Sequence, residues 1–186
     1  MKISNKPVVQ KIIQECINHG IKNVVFSPGS RNAPFALSFD AHPEIQTHVI
    51  HDERAAAFYA LGMSQTLEQT VALCCTSGSA VLNYYPAVSE AFYREQRLLI
   101  LSADRPKRLI NKGHGQTIMQ DQVFGKHVKS SLSVEDSNTN TNYESPKQHN
   151  PTSASAVIRT GPSQAQAVSW GLRLWVTSNL EQHNTS

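Results

Sequence analysis

The sequence predicts an α/β domain with a three-layer α/β/α architecture built on a parallel sheet. Strand-like and helix-like segments alternate four times between Asn5 and Leu101. The strand-like segments are short, continuous and apolar, the pattern of strands covered by helices on both faces. After about Ser130 the composition turns abruptly polar, so the core is expected to be complete over residues 1–130.

The first helix begins near Asn5 with Pro7 in its first turn. It sets Val8, Val9, Ile12, Ile13, Cys16 and Ile17 on one stripe and stops at Gly20. Asn23 to Ser27 form the first strand, and the loop Pro28-Gly29-Ser30-Arg31-Asn32 leads into a short helix around Ala33 to Phe39. His42-Pro43 breaks that helix before a second strand, Ile45 to His51. An alanine-packed helix over residues 55–66 and a third strand, Thr70 to Thr76, come next. Ser77-Gly78-Ser79-Ala80 opens a helix to about Tyr93, and Leu98 to Leu101 form a fourth strand. Residues 131–162, rich in Ser, Asn, Thr, Gln and Pro, read as a polar, disordered linker. Over residues 163–181 a terminal helix of the same domain is expected. Ser163 and Gln166 have capping-box spacing there, and Ala165, Val168, Leu172, Trp175 and Val176 share a helical face.

A formal charge of +3 over 186 residues suits small anionic substrates and falls short of the basic stripes of nucleic-acid binders. Cys16, Cys74 and Cys75 have no metal-ligand spacing and read as reduced core residues, so no metal site is expected in this chain. No apolar run approaches the roughly 18 residues of a spanning helix, and the start lacks an apolar signal segment; the expected location is the cytoplasm, without membrane insertion.

In open α/β sheets ligands gather at the carboxyl ends of the strands. Glu53 stands there, where an apolar strand hands over to the alanine helix, and should be poorly solvated; such an acid is either a partnered structural group or a catalytic one. Ser77 and Gly78 begin a helix whose open N–H groups would attract an anion, or they merely cap it. Ser30-Arg31 and Arg105 place two planar guanidinium forks at strand ends, suited to a dicarboxylate or to surface ion pairs. The glycine-rich loop Gly113 to Ile118 could bring Gln116 over the same pocket. His51 and His114 are acid–base candidates or packing residues. No Gly-x-Gly-x-x-Gly and no Walker loop is present, against a nicotinamide or ATP site.

Five segments resemble one family in its own order: Ser27-Pro28-Gly29-Ser30-Arg31-Asn32-Ala33-Pro34, His51-Asp52-Glu53-Arg54-Ala55-Ala56-Ala57-Phe58, Cys75-Thr76-Ser77-Gly78-Ser79-Ala80, Ala103-Asp104-Arg105-Pro106 and Gly115-Gln116-Thr117-Ile118. Over residues 1–127 the chain resembles the amino-terminal, pyrimidine-binding domain of the 2-succinyl-5-enolpyruvyl-6-hydroxy-3-cyclohexene-1-carboxylate synthases, thiamine diphosphate transferases of menaquinone biosynthesis. The resemblance implies that Glu53 hydrogen-bonds the aminopyrimidine ring and promotes loss of the thiazolium C2 proton. It also implies that Ser30, Arg31, Arg105 and Gln116 contact the substrates, 2-oxoglutarate and isochorismate.

The family holds the diphosphate and Mg²⁺ in a separate domain with a Gly-Asp-Gly motif, which this sequence lacks, and pairs subunits as homodimers or homotetramers. The chain therefore corresponds to an amino-terminal part, expected to be inactive alone, and it stops before the further strand that closes this domain in the family. The alternatives are the pyrimidine domain of another thiamine-dependent decarboxylase or carboligase, and a non-catalytic α/β dimerisation module.

Overall fold

The computed structural model describes residues 4–135 and 171–177. Its elements, in chain order, are α1 (Pro7–Asn18), β1 (Asn23–Phe26), α2 (Ala33–Asp40), β2 (Gln46–Val49), α3 (Glu53–Leu67), β3 (Val71–Cys75), α4 (Ser79–Asn83), α5 (Tyr85–Tyr93), β4 (Leu98–Asp104), β5 (Ser130–Glu135) and β6 (Gly171–Val176), with one 3₁₀ turn at Lys107–Leu109. The strands form one sheet in the order β2-β1-β3-β4-β6-β5. β1 pairs in parallel with β2 and β3, and β3 with β4; β6 runs antiparallel to both β4 and β5.

β3 shows why the apolar runs became central strands. Ala72 and Cys74 point into one hydrophobic cluster with α1 and α2 residues such as Val9, Ile12, Phe35 and Phe39. Val71, Leu73 and Cys75 point into a second cluster with Ala56, Ala60, Val88 and Ala91 of α3 and α5. The period of two sends alternate side chains to opposite faces, and both faces are covered, so every β3 residue is buried. Three layers result, as the sequence predicts. Ala56, Ala57 and Ala60 let α3 lie close on the sheet, and the buried Ser64 bonds the Gln69 and Arg97 carbonyls at its far end.

The helix expected from Ala80 to Tyr93 divides at Tyr84. Pro86 has no N–H, and its ring would clash with the carbonyl four residues earlier in a continuous helix; it sits instead in the first turn of α5. β4 is longer than the run Leu98 to Leu101 suggests and continues through Ser102, Ala103 and Asp104, all buried.

Two boundaries differ from the sequence reading. Ser130–Glu135 is strand, not linker: Leu132 and Val134 alternate with serines and pack on the α1/α2 side of the core. Within the helix expected over 163–181, residues Gly171–Val176 are instead the strand β6. Leu174 and Val176 enter one cluster while Trp175 between them enters the other. That is a strand's alternation, which a short apolar run cannot announce by periodicity alone. A further strand thus lies beside β4, and the sheet is mixed rather than wholly parallel. Residues 136–170 and 178–181 of those expectations lie outside the described residues.

Candidate functional site

The carboxyl ends of β1, β2, β3 and β4 lie side by side, and the segments that follow them build one rim. After β1, the Ser27 amide bonds the Cys74 carbonyl at 2.9 Å, extending the pairing with β3. The buried Asn32 then turns the chain back, its Nδ2 donating to the Ser27 carbonyl at 2.9 Å. Gly29 packs directly on the end of β3: a Cβ there would stand 2.4 Å from Thr76 Cβ. This backbone approach presses the loop onto the sheet and projects Arg31 over it.

Arg31 and Arg105 meet at the loop 113–120. Arg31 Nη1 donates to Gln116 Oε1 at 2.5 Å, and its Nη2 reaches the Gly115 carbonyl at 3.5 Å. Arg105 Nη2 donates to the same carbonyl at 3.2 Å, while its backbone amide bonds Asp104 Oδ1 at 2.7 Å. Two guanidinium groups therefore converge on one oxygen. Burial and the charge of Arg105 both push the Arg31 guanidinium below its ordinary value. Among the described residues Arg105 Nε is buried with no hydrogen-bond partner, and a guanidinium fork of this kind suits planar anions. The three residues Arg31, Arg105 and Gln116 are thus brought together as the sequence reading expects. Ser30 lies exposed on the outer side of the same loop.

Glu53 is the first residue of α3. Asp52 caps that helix by accepting the Ala55 amide at 2.7 Å, and an acidic residue in the first turn suits the helix dipole. Glu53 is half-buried rather than withdrawn from solvent, because only the face of α3 bearing Ala56, Ala57 and Ala60 rests on the sheet while its first turn overhangs the strand ends. Its charge still reaches the end of β3: the Cys75 thiol is pushed up to about 12, chiefly by burial and in part by Glu53. His51 and His114 are both exposed.

The segment after β3 is hydrogen-bonded to the 113–120 loop. Gly78 adopts a left-handed φ of 81° that favours glycine, and its N–H is not open but donates to Gln120 Oε1 at 2.8 Å. The Ser77 hydroxyl donates to the Gln116 carbonyl at 2.8 Å. α4 is a single short turn of helix with little dipole to offer, and both residues hold the 113–120 loop in place. Gln120, fully buried at the centre of this arrangement, went unnoticed in the sequence, where a glutamine between Met119 and Asp121 has no distinguishing pattern.

Residues 7–124 match the family described as thiamine pyrophosphate enzyme, N-terminal TPP binding domain. The chain is 54% identical over 128 residues to a 2-succinyl-5-enolpyruvyl-6-hydroxy-3-cyclohexene-1-carboxylate synthase from Christiangramia forsetii, covering 69% of this chain and 22% of the relative. A synthase of the same name from Flavobacterium johnsoniae is 44% identical over 161 residues, 86% of this chain and 28% of its own length. The chain therefore spans about a quarter of the length of the curated relatives it matches. Among solved structures, benzoylformate decarboxylase from Polynucleobacter necessarius superposes with a TM-score of 0.58 at 20% identity, covering 66% of this chain and 23% of the other, a likeness of fold.

Proposed function

The chain belongs to the thiamine pyrophosphate enzymes, whose N-terminal TPP-binding domain it carries, and from that membership we propose that it supplies the pyrimidine-facing part of a synthase joining 2-oxoglutarate to isochorismate. The observation that supports this reading above the others is the convergence of Arg31 and Arg105 on the Gly115 carbonyl beside Gln116. Both substrates are dicarboxylates, and paired forks with a neutral amide between them match two carboxylates better than the single carboxylate of a simple 2-oxo acid. That separates this reading from another thiamine-dependent decarboxylase. A half-buried acid at the start of α3 supports this reading over a module without chemistry.

The residues fit the pyrimidine end of thiamine diphosphate. Glu53 offers a carboxylate at the overhanging start of α3, within electrostatic reach of the buried end of β3. When bound, the cofactor supplies the carbon nucleophile and the electron sink for decarboxylation. Glu53 then holds a proton at the edge of the ring through a charge-assisted hydrogen bond, and coverage by a second domain strengthens that bond by removing water. Arg31 and Arg105 bind and orient substrate carboxylates, and Gln116 gives up its bond to Arg31 to do the same. On this reading Mg²⁺ and the diphosphate are held by a separate domain of the full-length synthase, of whose length this chain spans about a quarter.

A second subunit is part of the reading. Phe58 and Tyr59 on α3, Leu82 on α4 and Val49 at the end of β2 are all more than 40% exposed. Large apolar side chains left exposed suit burial by a partner. Among the described residues no helix is long and apolar enough to cross a membrane, and the reading places the enzyme in the cytoplasm.

The test is a hybrid synthase in which the 128 aligned residues of the Christiangramia forsetii relative are replaced by those of this chain. Carbon dioxide release from 2-oxoglutarate and formation of the isochorismate adduct are measured with thiamine diphosphate and Mg²⁺. Turnover of both acids supports the reading; turnover of a monocarboxylic 2-oxo acid in their place would overturn it.

A further inference from the structure

Gln120 is fully buried, and its whole amide is used. Oε1 accepts the Gly78 amide at 2.8 Å; Nε2 donates to Ser102 Oγ at 3.0 Å and to the Ala103 carbonyl at 3.1 Å. The Ser102 hydroxyl in turn reaches the Thr76 carbonyl at 3.1 Å. One side chain therefore ties the end of β3, the end of β4 and the 113–120 loop to each other. All three bonds lie away from water, where an unmade bond is expensive.

The same tie fixes the arginine pair. Gln116 stands at a left-handed φ of 55°, and its Cα occupies the space a Gly78 side chain would need, 2.9 Å from an added Cβ. Its carbonyl is held by Ser77, its side chain by Arg31, and the neighbouring Gly115 carbonyl by both guanidinium groups. Within the loop the Thr117 hydroxyl reaches the Gly115 carbonyl at 3.4 Å, and from the strand ends the loop is held through Gly78, Ser77 and Gln120.

We propose that Gln120 is a positioning residue for acid recognition: by anchoring the 113–120 loop to Gly78, Ser102 and Ala103 it sets where Gln116 and the Arg31–Arg105 pair stand. This rests on the reading of the site as a dicarboxylate binder. It assigns Ser77 and Gly78 to the same task, as the surface against which Gln116 is set.

The experiment has two arms. In the 186-residue chain, Gln120→Met deletes all three bonds while keeping length and volume close. Hydrogen exchange at the Gly78 amide should accelerate about tenfold or more, as expected for losing a bond of this kind, while Ala72 and Leu73 in β3 stay protected. In the hybrid synthase the same change should raise KM for 2-oxoglutarate and isochorismate about tenfold, with a smaller effect on kcat and less than about a twofold effect on the half-saturating thiamine diphosphate concentration. Exchange at Gly78 unchanged from wild type overturns the proposal. So does a uniform loss in which both acids, cofactor and kcat shift together. Should Gln120→Met fail to fold, Ser102→Ala removes one of the three Gln120 bonds and carries the same two readouts in the same direction. A wild-type hybrid that makes no product counts against the proposed synthase, whereas the exchange arm decides the role of Gln120 independently.

Discussion

Trp175 offers the most direct test of β6, the strand on which the length and position of β4 depend. Its side chain has no exposed surface and meets the Phe124 ring edge-to-face, with centroids 5.0 Å apart and an interplanar angle of 81°. Phe124 in turn stacks on Tyr85 of α5. Truncating a buried tryptophan to alanine costs about 3–5 kcal/mol, and an edge-to-face aromatic pair contributes about 0.5–1.5 kcal/mol of such a loss. Among the described residues the indole Nε1 is buried without a partner, so Trp175→Ala also removes an unsatisfied donor that costs about 1–3 kcal/mol. The lower end of the range, about 3 kcal/mol, is therefore expected. With a urea m-value of about 2 kcal/mol/M the unfolding midpoint should fall by about 1.5 M. Trp175→Phe, which keeps an aromatic ring and discards the orphaned N–H, should cost less than about 1.5 kcal/mol, and Met119→Ala, at an exposed position, should stay within about 0.5 kcal/mol. Urea titration of the 186-residue chain, followed by far-ultraviolet circular dichroism, measures all three. A Trp175→Ala midpoint equal to wild type would falsify the placement of β6 beside β4.

In the hybrid synthase, Glu53→Gln should lower carbon dioxide release from 2-oxoglutarate by about 10²–10⁴-fold, the range of a lost acid–base contact, and near-wild-type release sinks the role given to Glu53. Arg105→Ala should raise KM for the dicarboxylates about 10- to 100-fold, in keeping with about 1.5–3 kcal/mol for a charged hydrogen bond, with Arg105→Lys recovering little because a point charge cannot replace the fork; unchanged KM values count against the site. The thiols of Cys16 and Cys75 are pushed up to about 12 by burial, and that of Cys74 is also raised. Thiols that stay protonated in the fold but ionise near 9 when unfolded favour the fold fully below pH 9 and progressively less up to pH 12, by at most about 1.4 kcal/mol per pH unit per thiol. Urea midpoints constant below pH 9 and falling above it are expected, and a flat profile to pH 11 contradicts the burial. Phe58→Ser together with Tyr59→Ser should shift the hybrid synthase toward smaller species in sedimentation velocity, and an unaltered distribution argues against a subunit contact at α3.

The parallel half of the sheet was legible because its signals are local. An apolar run such as Val71–Cys75 admits few fates between a helix stop and a glycine turn, and covered strands are apolar on both faces. The antiparallel half was not, because its evidence is divided between distant segments. Leu132 and Val134 look like isolated apolar residues among serines until β6 is set beside them, and the helical spacing of Leu172, Trp175 and Val176 competes with the alternation of Leu174, Trp175 and Val176 on equal terms. Pairing across more than thirty intervening residues decides the matter, and no window of the sequence contains it.

The site divides along the same line. Arg31, Arg105 and Glu53 were legible because charged groups at strand ends have few structural reasons to be there. What the residues around them do depends on which backbone groups tertiary packing leaves available. Ser77-Gly78-Ser79 looks like an anion-binding helix start, yet Pro86 ends any long helix before it begins, and the Gly78 amide is spent on Gln120. With that amide occupied, it is not available to a diphosphate, and Arg31 and Arg105 are already turned toward Gly115 and Gln116. On the proposed function labour is divided: carboxylate recognition and the pyrimidine acid on this domain, phosphate and metal on another. The half-exposure of Glu53 agrees with that proposal, in which an acid that meets a ring held by a second domain stands at the rim.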